Sequence, residues 1–118
     1  MKFLMFIKHA EHGPQVVPPP ALMNAMGEFV TRMFAKGYLK DTGGLEPASK
    51  AVRIASKGGR LQTLDGPYAE TKEVIGGYAL VEVPTREEGL AVAQEFMELH
   101  RVHWPEFECV SEVRAVQG

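Results

Sequence analysis

The sequence predicts an α+β fold in which two helices cover one face of a four-stranded sheet. Three observations predict it. Two segments, about 20–36 and 85–104, repeat apolar residues at helical spacing. Short apolar or alternating runs before, between and after them read as strands. A Gly58-Gly59 pair between two alternating runs marks an added hairpin.

Phe3 to Ile7 is an unbroken apolar run bounded by lysines, the pattern of a strand buried on both faces and central in its sheet. Gly13-Pro14 and Pro18-Pro19-Pro20 punctuate the chain between this strand and the first helix. In that helix Leu22, Met26, Phe29, Val30 and Met33 share a face. Glu28 and Arg32 stand at pairing distance on its other side, and Gly37 supplies the C-terminal stop. A weak strand at Tyr38–Asp41 ends at Gly43-Gly44, and the chain turns at Leu45-Glu46-Pro47. Ala51–Ser56 and Leu61–Leu64 form the two arms of the hairpin. Ile75–Val83 is a further strand, apolar on both faces, whose Gly76-Gly77 permits a bulge or the close approach of another backbone. Thr85 and Glu88 have the spacing of a capping box. Leu90, Ala93, Phe96, Met97 and His100 then lie along one stripe, and Trp104-Pro105 ends the helix. A last strand runs over about 109–116. The order β-α-β, hairpin, β-α-β is the ferredoxin-like, split βαβ pattern with an inserted β-hairpin. Two helices cover only one sheet face, whereas two strands are apolar on both. The economical cover for the second face is another copy of the chain, sheet against sheet.

At 118 residues the chain fits one domain, 1–118, with enough surface to bury that it needs no staples. A formal charge of −2 gives no basic footprint, which argues against nucleic acid as a partner. The lone Cys109 makes no internal disulfide and reads as core filler. Five apolar residues between Lys2 and Lys8 are too few for a signal core or a membrane span, so a cytoplasmic location and no membrane partner are expected.

The stretch DGPYAETKE at 65–73 sets a turn signal, three carboxylates and a lysine between two apolar runs. Two readings of it stand. In one, Asp65 makes an Asx turn and Glu70, Thr71, Lys72 and Glu73 are a solvated loop. In the other, Asp65 is partly buried at a cleft, where desolvation suits it to general-base work. Lys72 then holds an anionic substrate or a developing negative charge, and Glu70 orients Lys72. Tyr68 and Trp104 are candidates for an apolar pocket wall.

The longer stretch DGPYAETKEVIGGY resembles the signature of the DGPF-domain proteins, a branch of the YCII-related family. Their motif runs Asp-Gly-Pro-Phe-Ala-Glu-Thr-Lys-Glu and continues apolar-Gly-Gly-aromatic; Tyr68 replaces the usual Phe. GLEP at 44–47 is similar to the family's Gly-Leu-x-Pro, and SEVRAV at 111–116 to its Glu-Ile/Val-Arg-Pro-Val ending. The resemblance implies a ferredoxin-like fold paired as a dimeric α+β barrel. The wider branch has been proposed to be enzymic, with a His and an Asp in a cleft. Some DGPF relatives are encoded beside extracytoplasmic-function sigma factors, which implies a regulatory role.

The four histidines come as two pairs, His9 with His12 and His100 with His103. In the split βαβ order the first strand and the second helix point the same way, so their C-terminal ends share one rim with the hairpin that leads to Asp65. His9, where the central strand ends, is the best single candidate for a general acid/base. His100 and His103 suit the negative end of the helix dipole. An H-x-x-H pair running into Gly13-Pro14 is weak metal chemistry, and no metal site is assigned.

The expected function is cofactor-free acid/base chemistry on a small, anionic metabolite: isomerisation, elimination or hydrolysis. Asp65 and His9 are the candidate catalytic residues, with Lys72, Glu70 and Tyr68 binding substrate. The alternative is a non-catalytic ligand-binding or regulatory dimer built on the same pocket. No phosphate-cradling or nucleotide motif is present, because neither Gly-Gly pair is followed by the helix such a motif requires.

Overall fold

The computed structural model describes residues 1–10, 17–65 and 73–118. In chain order the elements are β1 (Lys2–Ala10), α1 (Pro20–Ala35), β2 (Leu39–Gly44), a short 3-10 turn (Ala48–Lys50), β3 (Val52–Lys57), β4 (Arg60–Asp65), β5 (Glu73–Glu82), α2 (Arg86–His103) and β6 (Cys109–Ala115). Four strands form one sheet in the order β2-β5-β1-β6, every neighbouring pair antiparallel. Among the described residues β3 and β4 pair only with each other, as a separate two-stranded ribbon. The fold is α+β with two helices and a mostly antiparallel sheet.

The apolar run of β1 does take a central position. Phe3 and Met5 point to one side and are buried with Val81, Leu39 and Val83 beneath Phe29 and Met33 of α1 and Val92 and Ala93 of α2. Both helices therefore lie on that face. Leu4 and Phe6, alternating to the other side, are half-buried on a face that neither helix covers. Lys8 lies on that open face between Glu112, 3.1 Å away, and Glu73, 3.6 Å away. The Glu112 hydrogen bond chiefly raises its pKa.

α1 starts with Pro at its first position and stops at Gly37, whose φ of 77° is the left-handed conformation that glycine accepts freely. The expected Thr85 cap is present: its hydroxyl accepts the Glu88 backbone N–H at 3.2 Å. One local expectation is corrected and one is widened. Arg32 hydrogen-bonds Glu95 of α2 rather than Glu28 of its own helix, so it ties the helices together. Of the predicted α2 stripe, Ala93 and His100 are buried and Leu90, Phe96 and Met97 half-buried, while the stripe is widened by the buried Gly89 and Val92, which the pattern did not include. A Cβ on Gly89 would stand 2.8 Å from the Phe3 ring. The missing side chain is what lets the helix settle on the sheet, and a hydropathy pattern gives glycine no such weight.

β2 continues through Gly43-Gly44, because the strand crosses β5 at its own glycine pair. A Cβ on Gly77 would lie 3.1 Å from the Gly43 carbonyl oxygen. Tyr78 covers Gly43, and its hydroxyl donates to Asp41 at 3.0 Å. Among the described residues no helix is long and apolar enough to cross a membrane.

Candidate functional site

The site begins with His9, the penultimate residue of β1. Its register partners are Val74 in β5 and Cys109 in β6, and alternation from Phe3 and Met5 puts its ring on the helix-covered side. The imidazole Nδ1 lies 2.8 Å from the Ala10 carbonyl oxygen. A carbonyl only accepts, so Nδ1–H is the donor in this contact. The ring rests over Gly76, where a Cβ would meet Nε2 at 2.8 Å. Gly76 is the extra residue of a bulge: Ile7 pairs with Gly77 and Lys8 with Ile75, leaving Gly76 between them without a counterpart. The bulge and the absent side chain together make room for the histidine.

A second neighbour of His9 is Phe107, with ring centroids 5.3 Å apart. Phe107 lies four residues beyond α2 and stacks on Trp104, at 4.0 Å and 9° between planes. The ends of β1 and α2 thus share one rim, as the topology predicted. Beside Phe107 opens a groove of about 280 Å3 lined by Met97, His100, Arg101, Trp104, Phe107 and Cys109. That size suits a small metabolite.

The groove walls are held from behind. His100 is buried, 7% exposed, and its Nδ1–H donates to the Phe96 carbonyl at 3.0 Å while the ring meets Phe96 edge-on. This is more than the dipole contact expected at a helix end. Burial pushes the Cys109 thiol up, so it stays a neutral thiol and serves as apolar wall. Arg101 is held by Glu98, whose carboxyl its hydrogen bond keeps below the usual carboxylate range. His103 is half-buried in the last turn of α2.

Asp65 ends β4, opposite Val52, and is exposed. It belongs to the ribbon, whereas His9 belongs to the four-stranded sheet. Among the described residues nothing covers Asp65, whereas the general-base reading needs it partly buried. Tyr68, Glu70 and Lys72, and His12 with Glu11, lie outside the described residues. Among the described residues no three His, Cys, Asp or Glu side chains converge as a metal site requires. Sequence reasoning missed Phe107. Its only signal was an aromatic residue three positions after Trp104, in a stretch without regular structure.

The arrangement sets an anchored imidazole against Phe107, one wall of an aromatic groove. A comparison with curated proteins gives no match. The family model described as the YCII-related domain matches residues 1–98, from β1 through most of α2, and takes in His9, Gly76 and Asp65. With that match spanning most of its length, the chain belongs to the YCII-related family.

Proposed function

We propose that this YCII-related chain, of the DGPF branch, is a homodimeric enzyme performing cofactor-free proton transfer on a small anionic metabolite. His9 is the acid/base. The observation that carries this reading is the setting of the His9 ring, anchored by Nδ1–H on the Ala10 carbonyl and lying against Phe107, which stacks on Trp104. Lys72 holds the anion, Glu70 orients Lys72, Tyr68 adds to the apolar wall, and Asp65 is the second catalytic residue beside His9. Chain connectivity supports this: Lys72 directly precedes Glu73, which pairs with Ala10, next to His9. The strand order supports a ferredoxin-like split βαβ domain over 1–118. The half-buried Leu4 and Phe6 on the uncovered face support pairing sheet to sheet as a dimeric α+β barrel.

The experiment is deuterium exchange at carbon, monitored by NMR, over a panel of small 2-oxo and 3-oxo carboxylates in D2O. The parent protein exchanges at least one of them, and His9→Gln slows that exchange by roughly 100-fold or more. Equal rates in parent and variant would mean that His9 is misassigned. A second reading, a ligand-binding or regulatory dimer without turnover, is favoured by the exposure of Asp65. Ligands that raise the melting temperature while no panel member exchanges would select it.

A further inference from the structure

The groove beside α2 has a chemistry of its own. Met97, Trp104, Phe107 and Cys109 make its walls aromatic or sulfur-bearing, and such surfaces favour an aromatic ring. Its volume of about 280 Å3 takes one ring with a substituent, since an apolar cavity of about 150 Å3 holds benzene. His9 is not among the lining residues, and Phe107 borders both His9 and the groove. Of the described lining residues, all but Met97 lie beyond residues 1–98, the family-matched stretch.

His100 supplies the polar atom. Its Nδ1–H is taken up by the Phe96 carbonyl at 3.0 Å. Among the described residues the ring has no second hydrogen bond, yet no buried side-chain nitrogen or oxygen is left without a partner. Nε2 therefore reaches solvent although the residue is only 7% exposed, and the groove is where His100 meets it. With Nδ1–H donating, a neutral imidazole presents Nε2 as an acceptor. The charges at the rim do not select an anion. Arg101 is already bonded through Nε and Nη2 to Glu98, and Glu108 adds a carboxylate. Glu108 is exposed, so a ligand cation paired with it in water would gain little.

We propose that the groove is a binding site, separate from His9, for an uncharged single-ring aromatic molecule whose O–H or N–H donates to His100 Nε2. The ring of the ligand lies against the Trp104 and Phe107 side of the groove, and the donor points at the imidazole. A phenol has this form. The proposal does not rest on the acid/base chemistry of His9.

The experiment is an NMR titration with phenol, toluene, benzoate and benzylamine, read at the indole N–H of Trp104, the chain's one tryptophan. Phenol shifts that signal and binds at least tenfold more tightly than toluene, which has the same shape without the hydroxyl. His100→Asn keeps an amide N–H near the place of Nδ1–H and has nothing at Nε2, so it removes the preference for phenol. Where His100→Asn fails to fold, the phenol-to-toluene ratio in the parent decides alone. Equal binding of phenol and toluene overturns the proposal, because the groove is then an apolar crevice in which His100 plays no part. A folded His100→Asn that keeps the preference overturns it too. So does tighter binding of benzoate, which would give the groove to an anion, or of benzylamine, which would make Glu108 the anchor. A Trp104 signal that none of the four moves has the same result. Carbon exchange is read separately: a protein that exchanges no oxo acid but binds phenol with the tenfold preference refutes the chemistry at His9 and upholds this site.

Discussion

His9 lies directly over Gly76, where a Cβ would stand 2.8 Å from His9 Nε2. Gly76 does not have a positive φ, so alanine is strained there only by the imidazole. Gly76→Ala is expected to cost about 1–3 kcal/mol, as overpacking does. In a His9→Ala background the same substitution is expected to cost under about 1 kcal/mol. Urea denaturation of the four proteins in this cycle measures the coupling.

Two helix glycines make opposite predictions. Gly27 of α1 has nothing within 4 Å of a built Cβ, so Gly27→Ala gains about 0.5–1 kcal/mol from backbone entropy. Gly89 of α2 has the Phe3 ring at 2.8 Å, and Phe3 is 1% exposed and hemmed in. The helix gains about 1 kcal/mol from alanine, but overpacking costs about 1–3 kcal/mol, and the clash wins. Thermal melts read both signs directly.

The Trp104–Phe107 stack gives the groove its own reporter, since Trp104 is the chain's one tryptophan. Phe107→Ala is expected to shift Trp104 emission, because its stacked neighbour is gone. The pair coupling expected from a double-mutant cycle is about 0.5–1.5 kcal/mol. A ligand that enters the groove changes emission in the parent and changes it less in Phe107→Ala.

Stability is expected to fall at alkaline pH. Hydrogen bonding to Glu112 raises the Lys8 pKa, that to Glu88 raises Tyr38, and that to Asp41 raises Tyr78. In each case the fold favours the protonated form. The contribution is therefore complete below about pH 10, the ordinary range of these groups, and is lost as pH rises through the raised values. Urea midpoints against pH, with tyrosinate absorbance alongside, measure it. Tyr38→Phe and Tyr78→Phe each flatten part of the decline.

Local chemistry announced most of the fold. The cap at Thr85, the stop at Gly37, the Gly58-Gly59 hairpin and the apolar run of β1 each act through neighbours in sequence, and each appears where the residues put it. What stayed hidden depends on partners remote in the chain. Arg32 chooses Glu95 over Glu28 only because α2 lies alongside. His100 becomes a buried wall because Phe96 meets it edge-on and its Nδ1–H bonds the Phe96 carbonyl, not through any property of the His-Arg-Val-His run. At the site, the place of His9 at a strand end was readable, but Phe107 was not, since no periodicity marks an irregular turn. Asp65 shows the reverse limit: its turn chemistry was plain, while its exposure comes from the ribbon standing outside the main sheet.

The central position of β1 has a consequence for synthesis. β1 is flanked by β5 and β6, which are translated long after it, with Phe3 opposite Val81 on one side and Ala115 on the other. While the chain emerges from the ribosome, an apolar segment waits with both edges open until β5 and β6 have been translated. Contacts so distant in sequence form slowly, and such a nascent strand is a target for chaperones and for aggregation. Polypeptides released before residue 109 would lack the β6 edge partner and are expected to accumulate as insoluble material, even though both helices are complete.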